Sequence, residues 1–375
     1  MLSFTIDSPL TKRLKAFQSA LSLEYGELRG LQREELDAIH RYARISNIGA
    51  STRIENAQLT DPEIDWMDTI LSSSAKTTAF RENKRAIENK LSKDRERSID
   101  EVAGCRAMLA IVYEQAQEML PLGEIQIRGL HDELLKEYGR ADHYRGQYKK
   151  SPNSVVEVNH RTGKTRDVFK TADPGPITSA AMADLVKWYN EAIKEEPWPL
   201  AVAAEFVFRF LAIHPFQDGN GRLGRGLFLL ALLQSQDPHL SFVARYLAVD
   251  REIERHREDY YLILNRCSDG KFKSDPKKYK IQHFLNFMMK VLSEGLNHVE
   301  IFRKKHSAFR DLAEPALKVL HCFQEMPERR LKSGEIEKKT KLPNRTVFYA
   351  IQILVKNNFL QRYGKGSAVR YQIVF

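Results

Sequence analysis

The sequence lacks the features that define several large classes of protein. Its only cysteines, Cys105, Cys267 and Cys322, lie far apart and show no metal-ligand spacing. We therefore expect a reducing compartment, with neither a disulfide framework nor a cysteine-bound metal. No stretch approaches about 18 consecutive apolar residues, and the first residues lack the apolar core of a signal peptide. These absences predict a cytoplasmic protein without a membrane partner.

Glycine and proline are also few, at 19 and 14 of 375 residues, while 42% of the chain is hydrophobic. Such a composition is typical of a folded, helix-rich protein with room for two or three domains. Apolar residues recur at helical spacing over residues 10–45, 61–93 and 99–119. Residues 200–213 and 223–234 are nearly unbroken apolar runs, which predicts two buried helices at the centre of a bundle. The expected fold class is mainly α.

One segment departs from the helical pattern. Ser154–Val158 and residues 165–169 are rich in β-favouring residues, and they flank a turn-like segment at residues 160–163. This arrangement predicts a short β-hairpin.

The positive charge is concentrated near the C-terminal end. The net charge is +10, and residues 316–375 hold 12 Lys and Arg against 4 Asp and Glu. This region shows the pattern of a helix, a short helix, a turn, a longer helix and a strand pair, which predicts a winged helix-turn-helix. DNA and a protein remain alternative partners for it, and salt-dependent affinity for random duplex DNA distinguishes them. The residues expected at a DNA contact are Arg345, Tyr349, Lys356, Lys365 and Arg370.

The densest polar chemistry lies between the two apolar runs, in residues 214–225. They are His214, Pro215, Phe216, Gln217, Asp218, Gly219, Asn220, Gly221, Arg222, Leu223, Gly224 and Arg225. The glycines around Asn220 allow backbone N–H groups to converge on an anion, and the following helix directs its positive end to the same place. Arg222 and Arg225 lie three residues apart on one helix face, so both can reach phosphate oxygens.

Two further residues complete the prediction of a nucleotide site. Asp218 would repel a bare phosphate, so its presence predicts a divalent cation that bridges carboxylate and phosphates. His214 can accept a proton near neutral pH, which makes it the expected general base for a hydroxyl that attacks phosphorus. Phe216 is expected to pack inward and hold the loop.

Residues 214–225 resemble the signature of the Fic family, His-Pro-Phe-x-Asp/Glu-Gly-Asn-Gly-Arg-x-x-Arg, at every defining position. The likeness covers roughly residues 100–300, including the helical bundle and the hairpin. The resemblance implies a Fic-fold bundle in which the hairpin is a flap over the site. It also implies an enzyme that transfers AMP from ATP to a Tyr, Thr or Ser hydroxyl of a target protein and releases pyrophosphate.

The resemblance also implies a role for each matched residue. His214 deprotonates the target hydroxyl, and Asp218 holds Mg²⁺ between the α- and β-phosphates. The residues implied to bind phosphate are Gly219, Asn220 and Gly221, with Arg222 at the β-phosphate and Arg225 at the γ-phosphate. The flap residues implied to align the target by strand addition are Ser154, Val155, Val156, Glu157 and Val158. Tyr260 and Tyr261 occupy the region that supports adenine, although an aromatic pair in a helix also fits a packed core.

An upstream segment resembles the inhibitory motif of the same family, Ser/Thr-x-x-x-Glu-Gly/Asn. It contains Ser51, Glu55 and Asn56 at the matching positions. Ser51 and Glu55 are four residues apart and share a face if the segment is helical. The resemblance implies that Glu55 pairs with Arg225 and turns ATP away from its productive pose. The alternative is a solvated glutamate on an amphipathic helix.

Together these patterns predict three regions: an N-terminal helical region with the inhibitory helix (1–98), a catalytic domain (99–302) and the winged helix (303–375). Residues 303–314 are expected to be the linker. Two alternatives to an autoinhibited adenylyltransferase stay open. One is a DNA-binding regulator that only senses nucleotide. The other is a Fic enzyme that uses another donor such as UTP, or that removes AMP with Glu55 positioning water. A homodimer is also left open.

Overall fold

The computed structural model describes residues 1–73, 79–91, 95–158 and 165–375. The first helices are α1 (Ser8–Arg29), α2 (Arg33–Ile54), α3 (Asp61–Ser72), α4 (Ala79–Leu91), α5 (Glu96–Gln115) and α6 (Glu124–Leu135). The central elements are β1 (Ser154–Val158), β2 (Thr165–Lys170), α7 (Pro176–Glu195), α8 (Pro199–Ile213), α9 (Asn220–Leu233), α10 (Pro238–Val243), α11 (Val249–Arg255), α12 (Arg257–Ser268) and α13 (Ile281–Arg310). The last are α14 (Glu314–Gln324), α15 (Ser333–Thr340), α16 (Asn344–Lys356), β3 (Leu360–Tyr363) and β4 (Arg370–Ile373). The mainly α fold class is confirmed.

The two apolar runs form the centre of the bundle, as predicted. Helix α8 buries every residue after Pro199 except Arg209, and α9 buries every residue except Gly221. A helix that is apolar on all sides needs neighbours on all sides. Helices α7 and α13 pack against α8, α5 and α10 pack against α9, and α8 and α9 pack against each other. Even so, no helix among the described residues is long and apolar enough to cross a membrane.

The predicted hairpin is present as β1 and β2. The two strands pair antiparallel, with a register shift between Val155 and Val156. The expected turn at residues 160–163 lies outside the described residues. The Lys170 N–H donates to the Gly270 carbonyl (2.9 Å), and the Phe272 N–H donates to the Lys170 carbonyl (2.8 Å). These bonds attach the end of β2 to the loop after α12.

The N-terminal region is helical, as the spacing of its apolar residues predicted. Residues 10–45 lie in two helices: α1 ends at Arg29 and α2 starts at Arg33, where Gln32 and Glu35 form a capping box. Helix α2 extends through the segment predicted to be the inhibitory helix and ends at Ile54, so Ser51 lies on its last turn. Its last two turns carry small buried side chains, among them Gly49 and Ser51, so α2 packs closely against α5 and α11.

A glycine sets the close approach of α5 and α6, and it yields a stability prediction. A Cβ added at Gly104 would overlap the backbone carbonyl of Leu134, which cannot move like a side chain. We expect Gly104→Ala to lower the free energy of unfolding by about 1–3 kcal/mol, as overpacked sites do. Gly129→Ala is the matched control, since nothing lies within 4 Å of the added Cβ on α6. Gly129→Ala should raise the free energy of unfolding by up to ~1 kcal/mol. Urea unfolding measures both, and equal midpoints would contradict the prediction.

The linker predicted over residues 303–314 is wrong. Helix α13 runs on to Arg310, because Val299, Phe302 and His306 continue its buried face at helical spacing. The buried apolar residues nevertheless form two clusters. One extends from Leu10 to Phe302, and the other begins at Leu312. The proposed boundaries after residues 98 and 302 both fall inside helices, α5 and α13.

Residues 312–375, called the C-terminal module below, contain α14, α15, α16, β3 and β4 in the predicted order, with β3 and β4 antiparallel. The module rests on the middle of α2. Tyr42 of α2 meets Phe375 of the module edge-on, at 5.3 Å between ring centroids. Tyr42 also stacks on Phe302 of α13 at 5.7 Å. Lys305 Nζ donates a 3.0 Å hydrogen bond to the Val374 carbonyl. The module is thus packed against the helix that carries the predicted inhibitory motif.

Candidate active site

The loop between the two central helices is shaped by two left-handed residues. Helix α8 ends at Ile213, the next residue His214 adopts φ 52° and ψ 59°, and Gly219 precedes α9 with φ 77°. Glycine adopts this conformation without strain, whereas histidine does so at a cost that the surrounding contacts must offset. The two reversals keep His214 and the first turn of α9 at the same end of the central helix pair.

The loop is held from inside by Asn220 and Phe216. The Asn220 side chain accepts a hydrogen bond from the Phe216 N–H (2.9 Å) and donates one to the Phe216 carbonyl (2.7 Å). The Phe216 ring is fully buried and stacks on His131 at 3.8 Å. The predicted inward packing of Phe216 is therefore present. The Asn220 amide, expected near a phosphate, bonds within the loop.

His131 on α6 is a residue that the sequence did not indicate. The Gly146 N–H donates to its Nδ1 (2.9 Å), so Nε2 carries the proton and donates to the Asp218 carbonyl (2.9 Å). Burial lowers the pKa of His131 to about 4, which keeps this neutral form at neutral pH. His131 thereby anchors the loop directly behind Asp218. No local pattern around it distinguishes it from an ordinary helix residue.

Lys149 and Asn153 hold the loop from the other side. The Lys149 N–H donates to the Pro215 carbonyl (2.8 Å), and Asn153 Nδ2 donates to the Phe216 carbonyl (2.7 Å). Lys149 Nζ, almost fully buried, donates to Asn153 Oδ1 (2.8 Å) and to the carbonyl of Ile213 (3.2 Å). The segment that leads into the flap is therefore hydrogen-bonded to Ile213, Pro215 and Phe216.

These elements enclose a cavity of about 240 Å³ at the loop. Its lining combines apolar and polar residues. The apolar and aromatic residues are Phe169, Phe208, Leu211, Ala212, Tyr260, Tyr261 and Leu264. The polar and glycine residues are Glu55, Asn153, Ser154, His214, Gln217, Asp218, Gly219, Asn220, Gly221 and Arg225. An apolar cleft with a few convergent polar groups is the usual form of a small-molecule site.

His214 is arranged to be a neutral base. Its Nδ1 lies 3.4 Å from the Leu211 carbonyl, which favours the proton on Nδ1 and leaves the Nε2 lone pair available. Burial, together with the positive charge of Lys149, lowers the pKa of His214 to about 4. Glu55 and Asp218 act in the opposite direction but do not offset this. The imidazole is therefore uncharged at neutral pH and can accept a proton.

The His214 pKa can be measured directly. We expect the His214 imidazole signals in an NMR titration to move at a midpoint near pH 4 rather than 6.5. Because a lowered histidine pKa means that protonation occurs only in more acidic solution, the signals should be unchanged between pH 8 and 6. Lys149→Met should move the midpoint upward by removing the nearby cation. His214→Gln assigns the signal, and a midpoint at or above 6.5 in the parent would refute the assigned environment.

Asp218 and Arg222 differ in their exposure, although their side chains lie close together. Asp218 lines the cavity with 42% of its side chain exposed, and its Oδ1 accepts from the Gly219 N–H. Arg222 is only 3% exposed, lies 3.6 Å from Asp218 and 3.9 Å from Glu101, and does not line the cavity. Among the described residues, its buried Nε and Nη1 have no hydrogen-bond partner. The predicted contact of Arg222 with a β-phosphate stays a prediction.

Arg225 makes the contact with the upstream motif that the resemblance implied. Its Nη2 donates to Glu55 Oε1 (3.0 Å) and to the Ser51 carbonyl (2.8 Å), and its Nε donates to Ser51 Oγ (2.9 Å). Burial by itself lowers the pKa of Arg225. The nearby carboxylates of Glu55 and Asp250 act in the opposite direction and raise this pKa above its usual value. The guanidinium is thus charged, 2% exposed and largely engaged.

The Glu55 carboxylate also covers the predicted anion site. A Cβ added at Gly221 would overlap Glu55 Oε1, so the carboxylate lies directly on the first turn of α9. The structure therefore places a negative group where the helix N-terminus and Arg225 favour one. Asn56 follows with φ 74°, a left-handed conformation that glycine and asparagine tolerate best. Its Oδ1 accepts from Arg257 (3.1 Å).

Asp250 is a second carboxylate beside Arg225 that the sequence analysis missed. Its Oδ2 lies 3.9 Å from Arg225 Nε, which itself donates to the Ser51 hydroxyl. Burial raises the pKa of Asp250 to about 6, although Arg225 and Ser51 act to lower it. It begins the short helix α11 without any recognisable motif, so only the packing of α11 on α2 reveals it.

The adenine and flap predictions have mixed support. Tyr260 and Tyr261 both line the cavity, as expected of a base-binding wall. Tyr260 is also part of the core, 2% exposed and close to Phe284 and Phe287. Of the flap, the strand pairing and Ser154 at the cavity edge are described. The roles of these residues stay predictions.

The C-terminal module presents a mixed surface. The exposed face of α16 carries Phe348, Tyr349 and Ile353, each exposed by 44–51%. Arg345 lies over the Tyr349 ring at 5.7 Å. Lys356 lines a groove between α15, α16 and the strand pair. Apolar and cationic side chains thus alternate where a DNA contact was expected, and the choice between DNA and a protein stays open.

Comparison with known proteins adds to this geometry. The family model described as Fic, the Fic/DOC family, matches residues 121–232. A Fido domain-containing protein of Dictyostelium discoideum is 35% identical over 108 residues, which are 26% of this chain and 72% of that protein. This alignment therefore covers most of the length of the Dictyostelium protein.

Solved structures show the same fold. A Fic family protein from Desulfovibrio desulfuricans aligns with a TM-score of 0.54 at 20% identity, over 100% of this chain and 98% of that chain. A Fic domain containing signaling protein from Bacteroides thetaiotaomicron aligns with a TM-score of 0.56 at 24% identity, over 78% of this chain and 97% of that chain. At these identities the structural likeness shows the fold.

Proposed function

Because the chain belongs to the Fic/DOC family, we propose that it is a protein adenylyltransferase that transfers AMP from ATP to a hydroxyl of a target protein and that Glu55 inhibits it. Proteins of this family commonly transfer nucleotide-derived groups onto proteins. The observation that carries the proposal is the shared cavity of His214, Asp218, Gly221 and Arg225. A base, a metal ligand and an anion site in one cleft match the requirements of nucleotidyl transfer.

The proposed reaction places His214 as general base. Its Nε2 accepts the proton of the target Tyr, Thr or Ser hydroxyl, whose oxygen then forms the bond to the α-phosphorus. The bond between the α-phosphorus and its bridging oxygen breaks, and pyrophosphate leaves. The neutral state of His214 supports this role, because a base must be unprotonated before it can act. The backbone of Gly219, Asn220 and Gly221, at the start of α9, stabilises phosphate oxygens.

The residues present fit a magnesium ion bound together with the nucleotide. Asp218 is a partly exposed carboxylate at the cavity, and Mg²⁺ is commonly held by one or two carboxylates plus substrate phosphates. No cluster of three or more metal-binding side chains occurs in the part of the chain that the structure describes, which suits this mode better than an all-protein cage. When bound, Mg²⁺ would neutralise phosphate charge.

Target recognition is assigned to the flap. Strand β1 adjoins the cavity through Ser154, and its base is fastened to the loop through Asn153. An extended segment of the target can pair with β1 as an added strand, which brings its hydroxyl towards His214. Hydrogen bonds of strand addition come from backbone atoms, so they accept many target sequences.

Autoinhibition follows from where Glu55 lies. Its carboxylate occupies the anion site at Gly221 and pairs with Arg225, the residue proposed for the γ-phosphate. ATP must displace this carboxylate before its terminal phosphate can reach Arg225. A third of the Glu55 side chain is exposed, so its departure opens the cavity without disturbing the core.

The test uses Glu55→Gly protein, each of the four labelled nucleoside triphosphates and a cell lysate. The expected result is label transfer from α-labelled ATP to the chain itself or to lysate proteins, and no transfer from γ-labelled ATP. Transfer from UTP, CTP or GTP alone would replace the donor while keeping the reaction class. Absence of transfer from all four donors would contradict the proposal.

Removal of AMP from a modified protein is a second candidate function, because Glu55 and His214 line the same cavity. In that reaction Glu55 would position the attacking water. Incubating AMP-modified protein with the parent chain and with Glu55→Gly separates the two. Loss of the modification that requires Glu55 would support removal, whereas transfer that increases without Glu55 supports the main proposal.

A further inference from the structure

The two carboxylates beside Arg225 differ in how they are held. Glu55 follows the last turn of α2 with 33% of its side chain exposed, whereas Asp250 is 7% exposed. The Asp250 N–H donates to Asn47 Oδ1 (3.0 Å), and Asn47 Nδ2 donates in turn to the Leu247 carbonyl (2.8 Å). The backbone of Asp250 is thus fixed by buried hydrogen bonds between α2 and the start of α11, while Glu55 is partly exposed to solvent beside Arg225.

The two carboxylates also lie beside different nitrogens of the guanidinium. Nε donates to the Ser51 hydroxyl and lies 3.9 Å from Asp250 Oδ2. Nη2 donates to Glu55, and Nη1 would be 3.4 Å from a Cβ placed at Gly221. Asp250 and Ser51 therefore hold the guanidinium at Nε, and Nη1 and Nη2 lie next to the anion site at Gly221.

We propose that Asp250 is a positioning residue that keeps Arg225 directed at the anion site after Glu55 has left, so that Arg225 can hold the terminal phosphate of ATP. The inference rests on the proposed function. A fully buried guanidinium that lost Glu55 and had no second partner would carry an uncompensated charge, which is strongly unfavourable. Asp250 supplies that second charge at every stage. Asp250 acts through Arg225 and Ser51 and needs no contact with the nucleotide.

The experiment compares ATP with ADP, because only ATP has the terminal phosphate. Calorimetry in the presence of Mg²⁺ measures both affinities for Glu55→Gly and for Glu55→Gly combined with Asp250→Asn. We expect Asp250→Asn to weaken ATP binding about tenfold, the effect of about 1.4 kcal/mol, with ADP binding little changed. Asp259→Asn, an aspartate with 59% of its side chain exposed, is the matched control and should alter neither affinity.

A loss that is equal for ATP and ADP would indicate a merely structural role and overturn the inference, as would an unchanged ATP affinity. If Asp250→Asn does not fold, Ser51→Ala in the same background removes the hydroxyl between the two groups and must show the same ATP-selective loss. If Glu55→Gly alone binds neither nucleotide, the proposed function fails and the inference fails with it.

Discussion

Glu55→Gly should raise auto-nucleotidylation by roughly 5- to 150-fold over the parent chain, the range that a coupling of about 1–3 kcal/mol gives. The variant removes the carboxylate that now pairs with Arg225 at 3.0 Å and covers Gly221. Arg225 keeps Ser51 and Asp250 as partners, so the vacated anion site becomes available to ATP without loss of the fold. The partial exposure of Glu55 sets the effect below that of breaking a fully buried pair.

The rate of label incorporation from α-labelled ATP measures this effect. Glu34→Gly is the matched control, because Glu34 lies on the exposed first turn of the same helix, far along the chain from the motif. It should label like the parent. An unchanged rate for Glu55→Gly, or an equal rise in both variants, would show that Glu55 is no inhibitor.

Removal of the base should have the opposite effect. In the Glu55→Gly background, His214→Ala should lower the transfer rate by about 10²–10⁴-fold, the contribution of a positioned general base. ATP affinity should change little, since the anion site at Gly221 and Arg225 stays intact. Measuring the transfer rate and the ATP dissociation constant on the same preparation separates chemistry from binding.

His321→Ala provides the control, because this histidine is 70% exposed on α14 in the C-terminal module. It should leave both quantities unchanged. If the His214→Ala variant transferred label at the parental rate, the base would have to be another group. A parallel loss of ATP binding would instead show that the loop around Phe216 had collapsed.

Local patterns were sufficient for the parts of the site that lie close together in sequence. The apolar runs predicted α8 and α9, and the glycines of residues 214–225 predicted the reversal that Gly219 makes with φ 77°. These features depend on residue types within single continuous segments of the chain. They can therefore be deduced from neighbouring residues alone.

The remaining parts of the site depend on packing between distant segments. Asp250 and His131 contact the motif from α11 and α6, and neither segment has a distinctive pattern. The neighbours of residues 46–54 on α2 likewise come from distant segments, because α5 and α11 pack against this helix and its small buried side chains. Propensity and periodicity describe a helix, but they do not identify its neighbours. The contact between Glu55 and Arg225 was expected only from the family resemblance.

The attachment of Glu55 to the end of α2 has a consequence for regulation. Helix α2 belongs to the same hydrophobic core as α8 and α9, so the carboxylate is a tethered competitor of the nucleotide. Its effective concentration at Arg225 is set by the fold, and dilution of the protein does not change it. The apparent ATP affinity is then the intrinsic affinity multiplied by the fraction of molecules in which Glu55 has moved away from Arg225. Raising the ATP concentration, or shifting that fraction, are therefore two separate ways to switch the enzyme on.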